Sequence, residues 1–233
     1  MQSKLIVYHG SPRIVEKPVF GRGNPNNDYG LGFYCTENVE LAKEWACSNE
    51  TDGFANKYWL DMSDLSVLSL TGGDYHILNW LSVLLENRRF HLGGAVAKQA
   101  KAYISENFAV DDYKGYDIIK GYRADDSYFS FASAFLNNTI SVEQLEKAMV
   151  LGKLGEQIVL ISERAFAAIG FEEAFPAPKD IYLPKKLARD TATRTEFQEE
   201  RARDSALSGK YILDIIREGW RNDDKRLRRV VLG

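Results

Sequence analysis

The segment YHGSPRIVEKPVFGRGNPNNDYGLGFYCT, residues Tyr8 to Thr36, concentrates a histidine, several glycines and several aromatic residues near the N-terminus. It overlaps the apolar, β-branched run KLIVYHG, which predicts a short buried strand with His9 at its end. From Ser11 to Gly30, the prolines, glycines and asparagines predict a long irregular loop. Because loops of this length within a compact domain are usually functional, we expect a binding site here.

Strand and helix patterns follow one another irregularly along the rest of the chain. LGFYCT predicts a second strand, and Thr36 is expected to be the N-cap of a helix over ENVELAKEWA. Further strands are predicted at ANKYWLDM, LSVLSL, YDIIKGYRA and EQIVLIS, and helices at HILNWLSVLLENRR, GAVAKQAKAYISENF, DSYFSFASAFLNN and SVEQLEKAMV. Since the strict alternation of a doubly wound sheet is missing, we predict the α+β class.

After FPAPKDIYLP the chain becomes charged and helical, which predicts a boundary near Pro184. We therefore expect a main domain over residues 1–184 and a C-terminal helical segment over 185–233. This segment has 13 Lys and Arg against 9 Asp and Glu, although the whole chain has a net charge of −3. An apolar stripe on its second helix is expected to dock on its own domain or to form a dimer or antitoxin surface. The stripe comprises Tyr211, Ile212, Ile215, Ile216 and Trp220.

Composition excludes few functional classes. The longest apolar stretch is too short to cross a bilayer and the N-terminus has no signal-peptide pattern, so we expect a cytoplasmic protein without a membrane partner. Cys35 and Cys47 are expected to be small buried residues, and no metal-binding spacing occurs among the cysteines and histidines. The net charge of −3 provides no general electrostatic argument for binding nucleic acid.

The common nucleotide-binding and catalytic motifs do not fit the glycine-rich segment. Gly30 and Gly32 form G-x-G, but Cys35 stands where a Rossmann turn needs its third glycine, and no Walker A motif occurs. Ser11 is not in a G-x-S-x-G elbow, although spacing alone leaves a Ser-His-Asp hydrolase open.

In order and content, YHGS, GLGFYCT, a helix carrying an aromatic residue and EQIVLIS resemble the ADP-ribosyltransferase fold. The resemblance is to the branch with a His-Tyr-Glu signature, which includes the poly(ADP-ribose) polymerases. The segments YHGS, YGLGFYCT and YDIIKGYRADD are more narrowly similar to an uncharacterised bacterial ADP-ribosyltransferase-like family. Over residues 4–175 the resemblance implies a split antiparallel β-sheet core with added helices. It also implies NAD as a substrate that is cleaved with release of nicotinamide, without a metal.

The resemblance also implies roles for individual residues. His9 would hydrogen-bond the adenosine ribose, and the Gly10 backbone would pair with the nicotinamide carboxamide, an approach that a side chain would obstruct. Tyr34 would build the pocket wall, and Trp45 lies where the polymerases have a nicotinamide-stacking tyrosine. The other residues implied around NAD are Tyr8, Ser11, Gly32 and Phe33.

The third motif of the signature is matched by GEQIVLI, with Glu156 as the catalytic carboxylate and Gln157 in place of an aromatic residue. Other members of the bacterial family carry Asn-Gln here, so Gln157 is a second candidate. GYRADD belongs to the bacterial family alone. There Arg123 is expected to contact a phosphate, and Asp125 or Asp126 to bind or activate the acceptor.

These residues also have structural interpretations. His9 suits a hydrogen-bonded structural histidine, Tyr34 and Trp45 suit core aromatics, and Glu156 suits a solvated strand start. Asp125 and Asp126 suit N-caps of the helix beginning SYFSF.

Three functions therefore remain open. The first is a mono-ADP-ribosyltransferase acting on protein or nucleic acid, as a bacterial toxin or phage-defence effector restrained by an antitoxin or inhibitor protein. The second is a degenerate transferase domain that binds a nucleotide or a protein partner. The third is an RNA-processing enzyme that transfers a phosphate to NAD, which requires several converging basic residues, of which only Arg123 is evident.

Overall fold

Two β-sheets form the centre of the computed structural model, which describes residues 4–124, 126–151, 154–203 and 209–227. The strands are β1 (Lys4–Ser11), β2 (Phe33–Cys35), β3 (Gly53–Asp61), β4 (Val67–Ser69), β5 (Ile118–Tyr122), β6 (Glu156–Leu160) and β7 (Ile169–Ala177). One sheet has the order β1-β3-β7 and the other β2-β6-β5-β4. The strands predicted from sequence are thereby confirmed.

The sheets meet where β1 passes the end of β2. The amide of Tyr8 donates to the carbonyl of Thr36 at 2.7 Å, and the amide of Thr36 donates back at 3.0 Å. This bridge holds the His9 end of β1 beside β2 and β6. All described strand pairs are antiparallel except β4 with β5, which is parallel, so a wholly antiparallel core is the wrong expectation.

Eight α-helices and one 3₁₀ turn surround the sheets in the described ranges, which confirms the α+β class. The helices are α1 (Val39–Ala46), α2 (Ile77–Asn87), α3 (Ala95–Asn107), α4 (Asp126–Leu136), α5 (Val142–Val150), α6 (Glu163–Ala167), α7 (Lys179–Arg203) and α8 (Ile212–Arg217), with the 3₁₀ turn at Tyr113–Gly115.

The N-cap of α1 is Asn38 and not Thr36. The Asn38 side chain accepts hydrogen bonds from the amides of Glu40 and Leu41 at 2.9 and 3.2 Å. Thr36 is unsuited to this role because its backbone is engaged in the bridge to Tyr8.

Helix α2 forms the centre of the larger hydrophobic core. Its residues 77–85 are all buried, and Trp80, Leu81 and Leu84 are fully inaccessible. A helix that is apolar around its whole circumference must be covered on all sides. It is packed by other helices and by β5 of the second sheet.

The C-terminal region packs closely on the rest of the chain. Helix α7 runs through Pro184, so the boundary expected there falls inside a helix. The apolar stripe of the last helix docks on its own domain: Ile212 and Ile215 are fully buried, and the Trp220 carbonyl accepts from the Tyr103 hydroxyl at 2.9 Å. The described part of this stripe is therefore used in folding.

Candidate functional site

A pocket of about 220 Å³ opens where the two sheets meet, and we call it the His9 pocket. Strand β1 supplies His9 and Gly10, β2 supplies Tyr34, and β6 supplies Gln157. Trp45 from α1 and Arg123 from the segment after β5 complete these walls. The fold thus brings together six residues that the sequence had singled out, although they are spread over 149 positions from His9 to Gln157.

The imidazole of His9 is held in one tautomer. Its Nδ1 lies 2.8 Å from the carbonyl oxygen of Tyr34, which only accepts, so Nδ1 carries the proton and Nε2 is left as an acceptor. The ring packs against Phe33 with centroids 4.3 Å apart. Burial lowers the pKa of His9, and the hydrogen bond to Tyr34 opposes this only in part. His9 is therefore a neutral acceptor at physiological pH.

Tyr34 anchors the loop at the pocket mouth. Its hydroxyl donates to the carbonyl of Gly30 at 2.7 Å and accepts from the amide of Tyr29 at 3.0 Å. Gly30 has φ +76°, a left-handed conformation that glycine adopts without strain. Burial is the main cause that raises the pKa of Tyr34 far above its ordinary value, so the phenol stays protonated. The long loop is consequently fixed where it borders the pocket.

Packing by itself requires glycine at position 10, in addition to the ligand approach inferred from sequence. A Cβ at this position would overlap the Ala42 carbonyl oxygen and lie 2.9 Å from the Ala46 amide nitrogen. The close crossing of β1 and α1 therefore excludes a side chain whatever the ligand. In an antiparallel strand, backbone groups alternate in direction, so those of Gly10 point as those of Tyr8 do, away from β3.

Gln157 and Glu156 leave β6 on opposite faces. Gln157 lines the His9 pocket and is only 4% exposed, and its Oε1 has no hydrogen-bond partner among the described residues. Glu156 instead accepts a hydrogen bond from the Thr71 hydroxyl and borders a separate groove beside Thr36 and Glu37. Of the two candidates, the structure places Gln157 in the pocket with His9.

Arg123 covers one face of Trp45. Its guanidinium carbon lies 3.0 Å from the centroid of the indole ring, which is a cation–π contact. A nicotinamide ring would stack on this face only after Arg123 had moved. Trp45 and Arg123 border both the His9 pocket and a second space described below.

Asp28 and Arg88 were missed from sequence. Asp28, 4% exposed, accepts from Arg88 Nη1 at 3.0 Å and from the Ala124 amide at 2.9 Å. It thereby ties the loop to the chain segment that carries Arg123. Both residues line the His9 pocket. Neither has a local motif: Asp28 lies in a turn-like run and Arg88 ends a helix.

A second space of about 250 Å³ adjoins the pocket and is bounded on one side by helix α7, and we call it the α7 chamber. It shares Trp45, Arg88, Arg123 and Ala124 with the His9 pocket. Its outer wall includes Lys186 and Arg189. Four basic side chains therefore converge where the sequence had indicated only Arg123.

Helix α7 is held over this chamber by a buried ion pair. Arg189 donates to both carboxylate oxygens of Glu44 on α1, at 2.9 and 2.6 Å. The Glu44 side chain is only 3% exposed. Farther along, Phe197 stacks near Phe131 of α4 with centroids 4.1 Å apart. The wall is thus part of the folded domain.

The remaining sequence candidates have other surroundings. Ser11 donates to the Arg13 carbonyl and accepts from Asn56, and Tyr8 lies 6.4 Å from the Phe175 ring. The structure does not bring these two into the lining of the His9 pocket, nor Gly32 and Phe33, which pack against β6 and Tyr58.

The acidic candidates of GYRADD are only partly within the described chain. Asp126 begins helix α4. Asp125 lies outside the described residues.

The described ranges of the chain contain no group of three or more His, Cys, Asp or Glu arranged to hold a metal ion. No helix there is both long and apolar enough to cross a membrane. Cys35 and Cys47 are buried free thiols, which confirms the expected burial.

Comparison with known proteins yields a family. No curated protein and no solved structure matches the chain. Residues 5–171, which are most of the chain, match the family described as "Protein of unknown function (DUF3990)", and the chain belongs to that family.

Proposed function

We propose that this protein is an NAD-dependent mono-ADP-ribosyltransferase that binds NAD in the His9 pocket and releases nicotinamide. The observation that carries the proposal is Gln157, which lines this pocket and whose buried Oε1 has no hydrogen-bond partner among the described residues. A buried acceptor left unsatisfied costs about 1–3 kcal/mol, so a ligand that donates a hydrogen bond repays it. Ribose hydroxyls and a carboxamide are such donors.

His9 and Gly10 present complementary groups to the same ligand. The Nε2 of His9 accepts from a ribose hydroxyl, because Nδ1 is committed to Tyr34. The Gly10 backbone, directed away from β3, offers a donor and an acceptor to the nicotinamide carboxamide. This pairing is the role that the resemblance to ADP-ribosyltransferases implies.

The pocket is large enough for only part of NAD. Its volume of about 220 Å³ is below the roughly 300–1,000 Å³ of sites that bury drug-sized ligands. We therefore assign it the nicotinamide riboside half, where the bond to be broken lies. In this proposal His9 binds the nicotinamide ribose and not the adenosine ribose that the resemblance implies.

The transfer breaks the bond between ribose C1′ and the pyridinium nitrogen. The electron pair leaves with nicotinamide, which becomes neutral and needs no proton from an acid. The acceptor then forms a bond to C1′ and gives its proton to a base or to solvent. Gln157 can orient the ribose by hydrogen bonding, but it cannot serve as that base, so the acceptor's proton goes to solvent or to another side chain.

The biological role that accompanies this activity is that of a bacterial toxin or phage-defence effector restrained by an antitoxin or inhibitor protein. This part rests on the resemblance alone. The acceptor is a protein or a nucleic acid.

The test is nicotinamide release from NAD by the purified protein, with cell lysate added as a source of acceptor. His9→Asn and Gln157→Ala should lower release at least tenfold, whereas Glu156→Gln should change it less than twofold. Thermal unfolding checks that each variant folds. Release that is unaffected by both pocket substitutions would refute the proposal.

A second candidate is a degenerate transferase domain that binds NAD or another nucleotide without cleaving it. The position of Glu156 outside the pocket favours it, because the signature carboxylate is then missing from the site. NAD binding that depends on His9 and Gln157, with no nicotinamide release under any condition, would select this candidate.

A further inference from the structure

We propose that the α7 chamber binds a phosphate group carried by the acceptor, with Lys186 and Arg123 as its contacts. This inference rests on the proposed function, since it names the chemical class of the second substrate. It uses helix α7, which lies beyond the matched residues 5–171.

The α7 chamber adjoins the His9 pocket, where the ribose to be transferred is proposed to bind. It shares Trp45, Arg88, Arg123 and Ala124 with the His9 pocket, so the two spaces adjoin at these residues. A ribose held by Gln157 therefore lies next to whatever occupies the chamber. An acceptor must approach the ribose from a space contiguous with the pocket.

The charges of the described lining favour an anion. The carboxylate of Glu44 is neutralised by Arg189, and that of Asp190 pairs with Arg194 at 2.8 Å. Lys186 is half-buried and has no ion-pair partner among the described residues. Its positive charge therefore stays uncompensated in the described wall.

Phosphate is the anion that this donor set suits. A guanidinium offers two parallel N–H donors, and an ammonium adds a compact point charge. Arg123 and Lys186 both line the chamber, so they are the side chains that would supply the first and the second. Because the Arg189–Glu44 pair fixes α7, this arrangement is formed before the ligand binds.

Inorganic pyrophosphate is the probe, and isothermal titration measures its Kd and that of NAD at fixed ionic strength. Lys186→Ala should weaken pyrophosphate binding at least fivefold and leave the Kd of NAD within twofold. Saturating pyrophosphate should also leave the Kd of NAD within twofold, because the two ligands occupy different spaces.

Lys185→Ala is the matched control. It makes the same change of net charge at the adjacent position, but Lys185 pairs with Glu40 at 3.2 Å, and the chamber lining does not include it. It should not alter pyrophosphate binding. Equal effects of both variants, or none, would overturn the proposal.

Two other results would also decide the question. In the first, pyrophosphate competes with NAD and Lys186→Ala weakens NAD binding. These two observations together would assign the chamber to the diphosphate of NAD and overturn the acceptor role. Pyrophosphate binding that depends on Lys186 in a protein that does not bind NAD would refute the proposed function and the acceptor role, while the anion site would remain.

Discussion

Glu156 and Gln157 are neighbours in β6, yet Gln157 lines the His9 pocket and Glu156 is hydrogen-bonded to Thr71 on the other face. Successive side chains of a strand point to opposite faces, so both cannot serve the same site. The amide is the one that shares the pocket with His9. The chemistry proposed for the site therefore depends on hydrogen bonding by Gln157.

The buried Gln157 amide should lower the stability of the fold but contribute to NAD binding. Gln157→Met removes an acceptor without a described partner at nearly constant volume, so the free energy of unfolding should rise by about 1 kcal/mol. The same change should weaken NAD binding at least tenfold. Urea unfolding and titration calorimetry measure the two effects.

Glu156→Gln is the control for this prediction. It retains an acceptor for Thr71 and lies outside the pocket, so neither stability nor the Kd of NAD should change appreciably. A loss of NAD binding in Glu156→Gln, with binding intact in Gln157→Met, would reverse the assignment.

Gly10→Ala should destabilise the fold itself. The added Cβ would overlap the Ala42 carbonyl oxygen, and moving α1 away costs at least about 1–3 kcal/mol. Gly93→Ala, where no atom lies within 4 Å of the new Cβ, should stay within about 0.5 kcal/mol of wild type. Urea unfolding compares the two. A Gly10→Ala protein of normal stability that no longer binds NAD would instead support ligand approach as the reason for glycine.

The sequence predicted the strongly patterned elements but could not orient β6. Ile158, Val159 and Leu160 are all buried, so this strand has no alternation of apolar and polar residues. Without alternation, the pattern cannot indicate which face the two polar residues at its start occupy. The choice of Glu156 or Gln157 was therefore set by tertiary structure.

Strand β7 was missed for a related reason. It carries Glu172 and Glu173 in its middle and Pro176 near its end, which are weak signals for a strand. The strand forms because β7 is at the edge of its sheet, where proline is tolerated.

The docking of α7 could not be predicted either. It depends on Glu44, and the local sequence pattern predicts that this charged residue lies on the surface.

The free energy of unfolding should decrease as the pH is lowered, and part of this decrease should depend on His9. Burial lowers the folded-state pKa of His9 below the unfolded value of about 6.5, so the unfolded chain takes up this proton first. The contribution is complete above pH 6.5 and is lost as the pH falls toward the folded pKa. Between pH 7.5 and 5.5, His9→Gln should therefore lose less free energy of unfolding than wild type. His91→Gln, at an exposed position, is the control; an unchanged slope in His9→Gln would contradict the argument.

Removal of the Arg189 side chain should destabilise the packing of α7 on the domain. Arg189→Ala leaves the Glu44 carboxylate buried without its partner, which costs about 3–5 kcal/mol in a fully buried pair. Because the Arg189 side chain is 31% exposed, we expect the lower end of that range. Arg194→Ala, which breaks an exposed pair on the same helix, should cost about 0.3–0.5 kcal/mol. Adding Glu44→Met to Arg189→Ala should restore part of the loss in urea unfolding, because the unpaired charge is then gone; no recovery would mean that Glu44 does not cause the destabilisation.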